Sequence, residues 1–459
     1  MVAGDGAFFH GQLPICNAPA ARPWIGPGLR SGEDLVRKTN GRRELVKKIG
    51  ATGALAGLSL LSACAEEEDG RAPASEHEAI AANPLDTTRA NQAATYRNID
   101  RLATTRRIAR GAPTLFLPAH SLELGSFSYE HNGHTQTIDD FMRRHRTSGL
   151  LILKGGAIAL ERYRMGNGAQ SRWTSFSIAK SVTSTLIGAA LKDGDIASLD
   201  DGVAKYVSQL KGSAFDGCSI RDLLSMTSGV RWDEDYYIFR QSDIERFERA
   251  IAAQKKGAVM DLMRNRARAV APGSVFNYST GDSYVLGAIV ASATQSNLSD
   301  YLSHKIWSRL GMEMDAYWLL DSPDGLETGG DNISAVLRDY ARFGLFFLRE
   351  GVIGSESVLP TGWRDLATKP HTAAAAYGRV DDDPLGYGYQ WWAFPTGAAA
   401  LPFHDGAFTA QGIFGQFLYI NPKEDIVAVV WSAWRSPWDD HAEIETYAMI
   451  GAAIAMLRQ

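Results

Sequence analysis

Apolar residues recur along this chain with two different periods, and the change from one to the other outlines a fold. Residues 149–162 read Gly149-Leu150-Leu151-Ile152-Leu153-Lys154, then Gly155-Gly156, then Ala157-Ile158-Ala159-Leu160-Glu161-Arg162. Two short apolar runs around a glycine pair predict two strands joined by a tight turn. From Ile178 to Ala190 the spacing becomes helical, with Val182, Leu186, Ile187 and Ala190 set among small residues, and Asp193-Gly194 supplies a stop. Ser175 is the expected N-cap of this helix. Residues from about 205 to 285 continue largely in helical spacing, as in Ile220-Arg221-Asp222-Leu223-Leu224-Ser225-Met226. Strand patterns return after about residue 385. Ala410 to Ile420 predicts one strand, Asn421-Pro422-Lys423-Glu424-Asp425 a turn, and Ile426 to Trp431 a second strand. A sheet drawn from both ends of a domain, with helices between, is an α+β fold: an antiparallel sheet flanked by helices, carrying a mainly helical insertion.

The first hundred residues follow a different pattern. Arg42-Arg43-Glu44-Leu45-Val46-Lys47-Lys48 is basic, Ile49 to Leu61 is a short apolar stretch of small residues, and Leu61-Ser62-Ala63-Cys64 resembles a bacterial lipobox. Together these predict a signal region, residues 1–64, ending at a cysteine that is lipidated. Gly41-Arg42-Arg43-Glu44-Leu45-Val46-Lys47 also resembles a twin-arginine signal. Residues 1–34 fit no part of such a leader, so translation is expected to begin near Leu35 or Val36. A cytosolic amphipathic helix with a buried cysteine is the competing reading. Residues 65–95, opening with Ala65-Glu66-Glu67-Glu68-Asp69 and continuing rich in Pro and Ala, have the composition of a disordered tether. Residues 96–459 are the expected folded domain, its polar, arginine-rich start forming a surface helix or linker. The implied address is the bacterial cell envelope, lipid-anchored and facing the periplasm. Ala65 after the cysteine resembles an outer-membrane sorting pattern.

Composition narrows the chemistry. A chain of 459 residues with 45% hydrophobic content can bury a large core. A formal net charge of −5 gives no reason to expect a nucleic-acid partner. No apolar run reaches the length of a membrane span. Three cysteines make no disulfide framework, and Cys218 is expected to be structural. No Gly-x-Ser-x-Gly, phosphate loop or metal-spaced His/Cys/Asp set is present, so no cofactor or metal is expected.

Three short stretches carry candidate chemistry. The first is Ser177-Ile178-Ala179-Lys180 at the start of the predicted helix. Residues i and i+3 share a helix face, which brings an amine to a hydroxyl. An amine withdrawn from water favours its neutral form and can accept the serine proton. Spacing alone does not decide this. Ser208-Gln209-Leu210-Lys211 has it too, with Gly212 following at once, and a chance serine beside a snorkelling lysine would read the same. The second stretch is Phe276-Asn277-Tyr278-Ser279-Thr280-Gly281-Asp282, a loop feeding the apolar run Tyr284 to Val290. A phenol there can relay a proton, given a neighbouring cation that lowers its pKa; a loop tyrosine in a turn is the alternative. The third is Ala410-Gln411-Gly412-Ile413, where a strand glycine permits close approach and a backbone N–H can face a developing oxyanion. Two packing glycines in an ordinary strand would look alike.

In this order, the three stretches resemble the serine β-lactamase and penicillin-recognising superfamily. The resemblance is greatest to its class C-like esterases and 6-aminohexanoate-dimer hydrolases, and it extends over about residues 135–459. Ser225-Met226-Thr227-Ser228-Gly229-Val230-Arg231-Trp232-Asp233-Glu234-Asp235-Tyr236 resembles a segment lining that family's cleft, and Leu337 to Gly344 and Gly386 to Trp392 are similar to other recurring stretches. The resemblance implies a β-lactamase/transpeptidase-like fold, with Ser177 as nucleophile, Lys180 as its base and Tyr278 as proton relay. It implies an oxyanion hole from the backbone N–H groups of Ser177 and Ile413, with Gly412 allowing close approach. Thr280 and Tyr236 would border the substrate, Tyr237 being an equal candidate for the latter place. The family's β-lactam-cleaving members usually carry Lys-Thr-Gly or a histidine variant where this chain has Ala410-Gln411-Gly412, and His404 and Asp405 lie several residues earlier. The expected substrate is therefore a small-molecule ester or linear amide. β-Lactam or D-amino-acid peptide hydrolysis, or a non-catalytic penicillin-recognising sensor, are the alternatives.

Overall fold

The structure, a computed structural model, describes residues 84–125, 127–237, 241–370, 385–395 and 403–458. The predicted signal region, Cys64 and most of the predicted tether lie outside the described residues.

The core is a seven-stranded, wholly antiparallel sheet. Its strands run, in spatial order, Gly386–Tyr387, Trp392–Ala393, Phe408–Gly412, Gln416–Asn421, Ile426–Ser432, Thr147–Lys154 and Ala157–Tyr163. The predicted pairing of early and late segments is thus present at its centre, where Ala428 faces Ile152. Gly155 and Gly156, with φ of 60° and 80°, make the tight turn between the two early strands. Residues Leu150 to Leu153 are fully buried; covering both faces makes the run continuously apolar rather than alternating.

Helices cover both faces. Leu337–Leu348 packs on one face, where Gly344 meets Val427 and Leu418. Ile178–Asp193 packs on that same face. Asp440–Leu457 lies on the other, where Tyr447 meets Phe417 and Gln411. Ile178–Asp193 has no solvent-exposed face before its last turn: every residue from Ile178 to Ala190 is buried. Its hydroxyls are satisfied by backbone carbonyls, Ser181 by Gln390 O at 2.6 Å and Ser184 by Tyr389 O at 2.7 Å. Fully burying one side chain such as Leu186 is worth roughly 2 kcal/mol. The helix ends, as its sequence predicts, at Gly194.

A second antiparallel sheet of four short strands, Thr105–Ile108, Ala316–Leu319, Ile333–Val336 and Arg172–Thr174, feeds the start of that helix. The helical insertion contains Val203–Tyr206, Ile220–Leu224, Asp243–Ala252 and Ala258–Arg264, and leads into Thr280–Thr294, which packs against Ile178–Asp193. No described helix is long and apolar enough to cross a membrane.

Three expectations change. Ala410–Ile420 is not one strand: Ile413, Phe414 and Gly415 form a turn between Phe408–Gly412 and Gln416–Asn421. Phe414 has φ 62°, and Gly415 lies against the Trp434 ring with no room for a side chain. Ser175 is not the N-cap; that place is held by Ser177, while the Ser175 hydroxyl accepts from Ile333 N at 3.0 Å in the second sheet. The expected domain start at residue 96 falls inside the helix Gln92–Leu102: of the expected surface helix or linker it is a helix, but its Tyr96 and Ile99 are buried in the core.

Candidate active site

Ser177 stands at the head of the Ile178–Asp193 helix, 6% exposed, where the helix dipole favours negative charge. One turn on, Lys180 is 1% exposed. Its Nζ lies 2.8 Å from Ser177 Oγ, 2.8 Å from Thr280 Oγ1 and 2.9 Å from the carbonyl oxygen of Gly330. The i, i+3 spacing therefore does bring the amine to the hydroxyl.

Tyr278 precedes Ser279, which caps Thr280–Thr294 by accepting from Asp282 N. Lys180 Nζ sits 5.0 Å from the centre of the Tyr278 ring. The ring stacks on Trp392 and stands edge-on to Tyr387. Burial pushes the Tyr278 phenol above its ordinary value, with Lys180 the largest opposing influence. The cation expected to lower this pKa is present, but burial outweighs it. The phenol stays protonated at neutral pH, which suits a proton donor better than a base.

Facing these groups is the end of the strand Phe408–Gly412. A side chain on Gly412 would come within 2.5 Å of the Ser175 carbonyl oxygen and 3.0 Å of Phe176 Cβ. The glycine thus lets the strand close on the turn just before Ser177. Phe176 and Phe414, the residues before Ser177 and after Ile413, both have positive φ, 45° and 62°. Their rings pack together and both touch Tyr96. Among the described residues no backbone acceptor takes the N–H of Ser177 or of Ile413, so both remain for a ligand.

Tyr236 is half-buried and donates to Glu234 at 2.9 Å, whereas Tyr237 is 67% exposed and bonds to Trp438 O. Of the two, Tyr236 joins the group around Thr280. Gln411 and His404 do not: Gln411 donates to Glu443 and Tyr447, and His404 bonds to Tyr419 and to Tyr447 O. Burial holds His404 down to about 4, hence neutral at neutral pH. Cys218 is buried, its thiol pushed up to about 11 by burial, which makes it inert.

Sequence reasoning missed the acids. Glu234 accepts from Thr280 N at 2.8 Å, from the Thr280 hydroxyl and from Trp232 Nε1, besides Tyr236. Asp331 is half-buried, and burial raises its carboxyl, with Lys180 opposing and Glu234 adding to the rise. Buried Asp282 is pushed up to about 7, chiefly by burial, with Ser228 and Ser279 opposing. The one available signal for Glu234 was its place between Trp232 and Tyr236, two side chains that donate hydrogen bonds. No three His, Cys, Asp or Glu residues are grouped to hold a metal ion among the described residues.

The β-lactamase family model matches residues 134–453. The chain belongs to the β-lactamase family. Over 303 residues it is 30% identical to the 6-aminohexanoate-dimer hydrolase of Paenarthrobacter ureafaciens, covering 64% of this chain and 74% of that one. A solved structure assigned as a 6-aminohexanoate-dimer hydrolase of Bacillus anthracis superposes with a TM-score of 0.73 at 22% identity, covering 84% of this chain and 99% of the other. EstCE1, a hydrolase with promiscuous acyltransferase activity, superposes at 0.55 with 17% identity, over 68% and 96% of the two chains. These likenesses establish the β-lactamase/transpeptidase-like fold and membership of a family of serine hydrolases.

Proposed function

We propose that this family member is a serine hydrolase that cleaves esters or linear amides through an acyl-enzyme on Ser177. The observation that carries the reading is the 2.8 Å contact of buried Lys180 Nζ with Ser177 Oγ. Lys180 takes the Ser177 proton, and Tyr278, which carries its own proton, is kept for the leaving group. The oxygen attacks the substrate carbonyl carbon, and the π pair moves to the carbonyl oxygen, which rests on the N–H groups of Ser177 and Ile413. Collapse expels the alcohol or amine, protonated through Tyr278. Water then attacks the acyl ester by the same steps and frees Ser177.

Supporting the substrate class, one relative is a 6-aminohexanoate-dimer hydrolase and another a hydrolase with acyltransferase activity. Against β-lactams and D-amino-acid peptides, Gln411 and His404 turn toward the C-terminal helix, leaving no side-chain cation from the Ala410-Gln411-Gly412 stretch to hold a substrate carboxylate. A sensor that never reacts would have little use for an assembled serine–lysine pair; one that acylates and stalls needs the same groups and is told apart by stable acylation by a penicillin without release.

The test is intact-protein mass spectrometry after incubation with a fluorophosphonate, wild type beside Ser177→Ala. One adduct on the wild type and none on the variant is expected, with ester or amide turnover reduced by at least about a thousandfold. An adduct that survives in Ser177→Ala refutes the nucleophile. We also propose, from the sequence alone, that the chain is exported and held at the periplasmic side of the envelope by a lipid on Cys64. Cys64→Ser should then release it from the membrane fraction of cells; retention there rules the anchor out.

A further inference from the structure

The hydrogen-bond polarity around Lys180 can be worked out atom by atom. A neutral amine has two N–H bonds and one lone pair. The Gly330 carbonyl oxygen, 2.9 Å away, can only accept. Thr280 Oγ1, 2.8 Å away, could either accept from Lys180 or donate to it, because a hydroxyl does both. Glu234 removes that choice. Both its oxygens already accept, Oε2 from Thr280 N–H and Trp232 Nε1–H and Oε1 from the Tyr236 hydroxyl, and Oε1 also receives the single hydroxyl hydrogen of Thr280. Thr280 must then accept from Lys180. With both N–H bonds committed, the lone pair is turned to the side of the Ser177 hydroxyl at 2.8 Å and of the Tyr278 phenol, which bonds both Ser177 and Lys180.

Resting on the proposed Ser177–Lys180 pair, we propose that Glu234 is a positioning residue that aims the Lys180 lone pair at Ser177 by fixing the direction of the Thr280 hydroxyl. Glu234 itself touches neither Ser177 nor Lys180 by hydrogen bond; it acts through Thr280. The proton it helps to move is the Ser177 hydroxyl hydrogen, which passes to Lys180 Nζ as the serine oxygen attacks.

Four donors surround the carboxylate, and they specify what an amide would do there. Thr280 N–H and Trp232 Nε1–H bond Oε2 and cannot reverse. The Thr280 and Tyr236 hydroxyls bond Oε1, and both can reverse. Glu234→Gln has the same shape, so its carbonyl oxygen keeps the two N–H groups and its NH2 faces the two hydroxyls. Thr280 then accepts from the glutamine, and its freed hydrogen competes with Ser177 for the Lys180 lone pair. A hydrogen-bond reversal thus disarms the base without a change of volume.

The experiment measures the rate of fluorophosphonate acylation against probe concentration for the wild type, Glu234→Gln, Thr280→Val and the double variant. Glu234→Gln is expected to lower the saturating rate roughly 10- to 100-fold, the scale of a misaimed catalytic group, with the half-saturating concentration unchanged within twofold. Thr280→Val, which removes the fixed acceptor, should lower it as well. The double variant lacks the competing hydroxyl and should react no more slowly than Glu234→Gln. A saturating rate for Glu234→Gln within threefold of wild type overturns the proposal. So does a loss carried mainly by the half-saturating concentration, which marks a merely structural role. If Glu234→Gln does not fold, a wild-type rate in Thr280→Val overturns it instead. An adduct in Ser177→Ala is a separate failure, of the nucleophile assignment, and takes the relay with it.

Discussion

The helical side of the site and the strand Phe408–Gly412 opposite it expose different kinds of polar group. On the helical side Lys180, Tyr278, Glu234, Asp331 and Asp282 crowd together, several with pKa values displaced by burial. The strand side has Ala410 and Gly412 on the face toward Ser177, and its polar side chain Gln411 on the face toward the helix Asp440–Leu457. Alternation along a strand enforces this split, since neighbouring residues point to opposite faces. The helical side can therefore move protons, while the strand side can offer backbone N–H groups alone. A strand whose end carries only Ala410 and Gly412 on that face can approach the serine closely. On the proposed reading it also offers no side-chain cation to an anionic substrate.

Substituting two adjacent residues of the strand separates its two faces. Gly412→Ala places a methyl group 2.5 Å from the Ser175 carbonyl oxygen, a contact that only a strand shift relieves. Moving the Ile413 N–H is expected to lower kcat roughly 100- to 1,000-fold with little change in KM, as for the loss of an oxyanion donor. Gln411→Leu should leave turnover alone and cost roughly 1–3 kcal/mol of stability in denaturant titrations, because Glu443 and Tyr447 lose a buried partner. If Gln411→Leu were the inactive one and Gly412→Ala the active one, the assignment of the two faces would be reversed.

How far the sequence reached depended on how local each feature is. Ser177 and Lys180 were legible because one turn of helix sets their separation, and the stop at Gly194 is equally local. The central strand pairing was legible from apolar runs bounded by turn residues. The turn at Ile413-Phe414-Gly415 was not, because no proline or polar cluster marks it; packing of Phe414 on Phe176 and Tyr96, and of Trp434 over Gly415, imposes it. Ser175 resembled a cap because only distant Ile333 shows where its hydroxyl is used. Gly330 and Glu234 reach Lys180 from 150 positions away and through an intervening hydroxyl, respectively. No local spacing encodes either. The helix Gln92–Leu102 read as a surface helix or linker because Tyr96 and Ile99, which are buried in the core, are set among polar residues and arginines.

The helical side can be probed more gently through Asp282, which is buried behind Ser279 and has no counterpart on the strand. Its carboxyl goes from 3.8 in a solvated chain to about 7 in the fold, chiefly because burial penalises the charge. A raised acid pKa means that the folded state binds the proton more tightly than the unfolded chain does. Its contribution to stability is therefore complete below about 4, falls as pH rises toward 7, and is gone above that. Asp331 and Asp339 are raised in the same direction, so the wild-type slope alone identifies no residue; the difference from a variant does. Asp282→Asn keeps the size and removes the titration. Relative to wild type, its Tm should rise by roughly 2–5 °C between pH 4.5 and pH 8, measured by differential scanning calorimetry. A Tm difference that stays constant across that range would mean Asp282 does not titrate there. The acid on the helical side would then be held by partners, as Gln411 is on the strand, and the two sides would differ less than their burial and charge indicate.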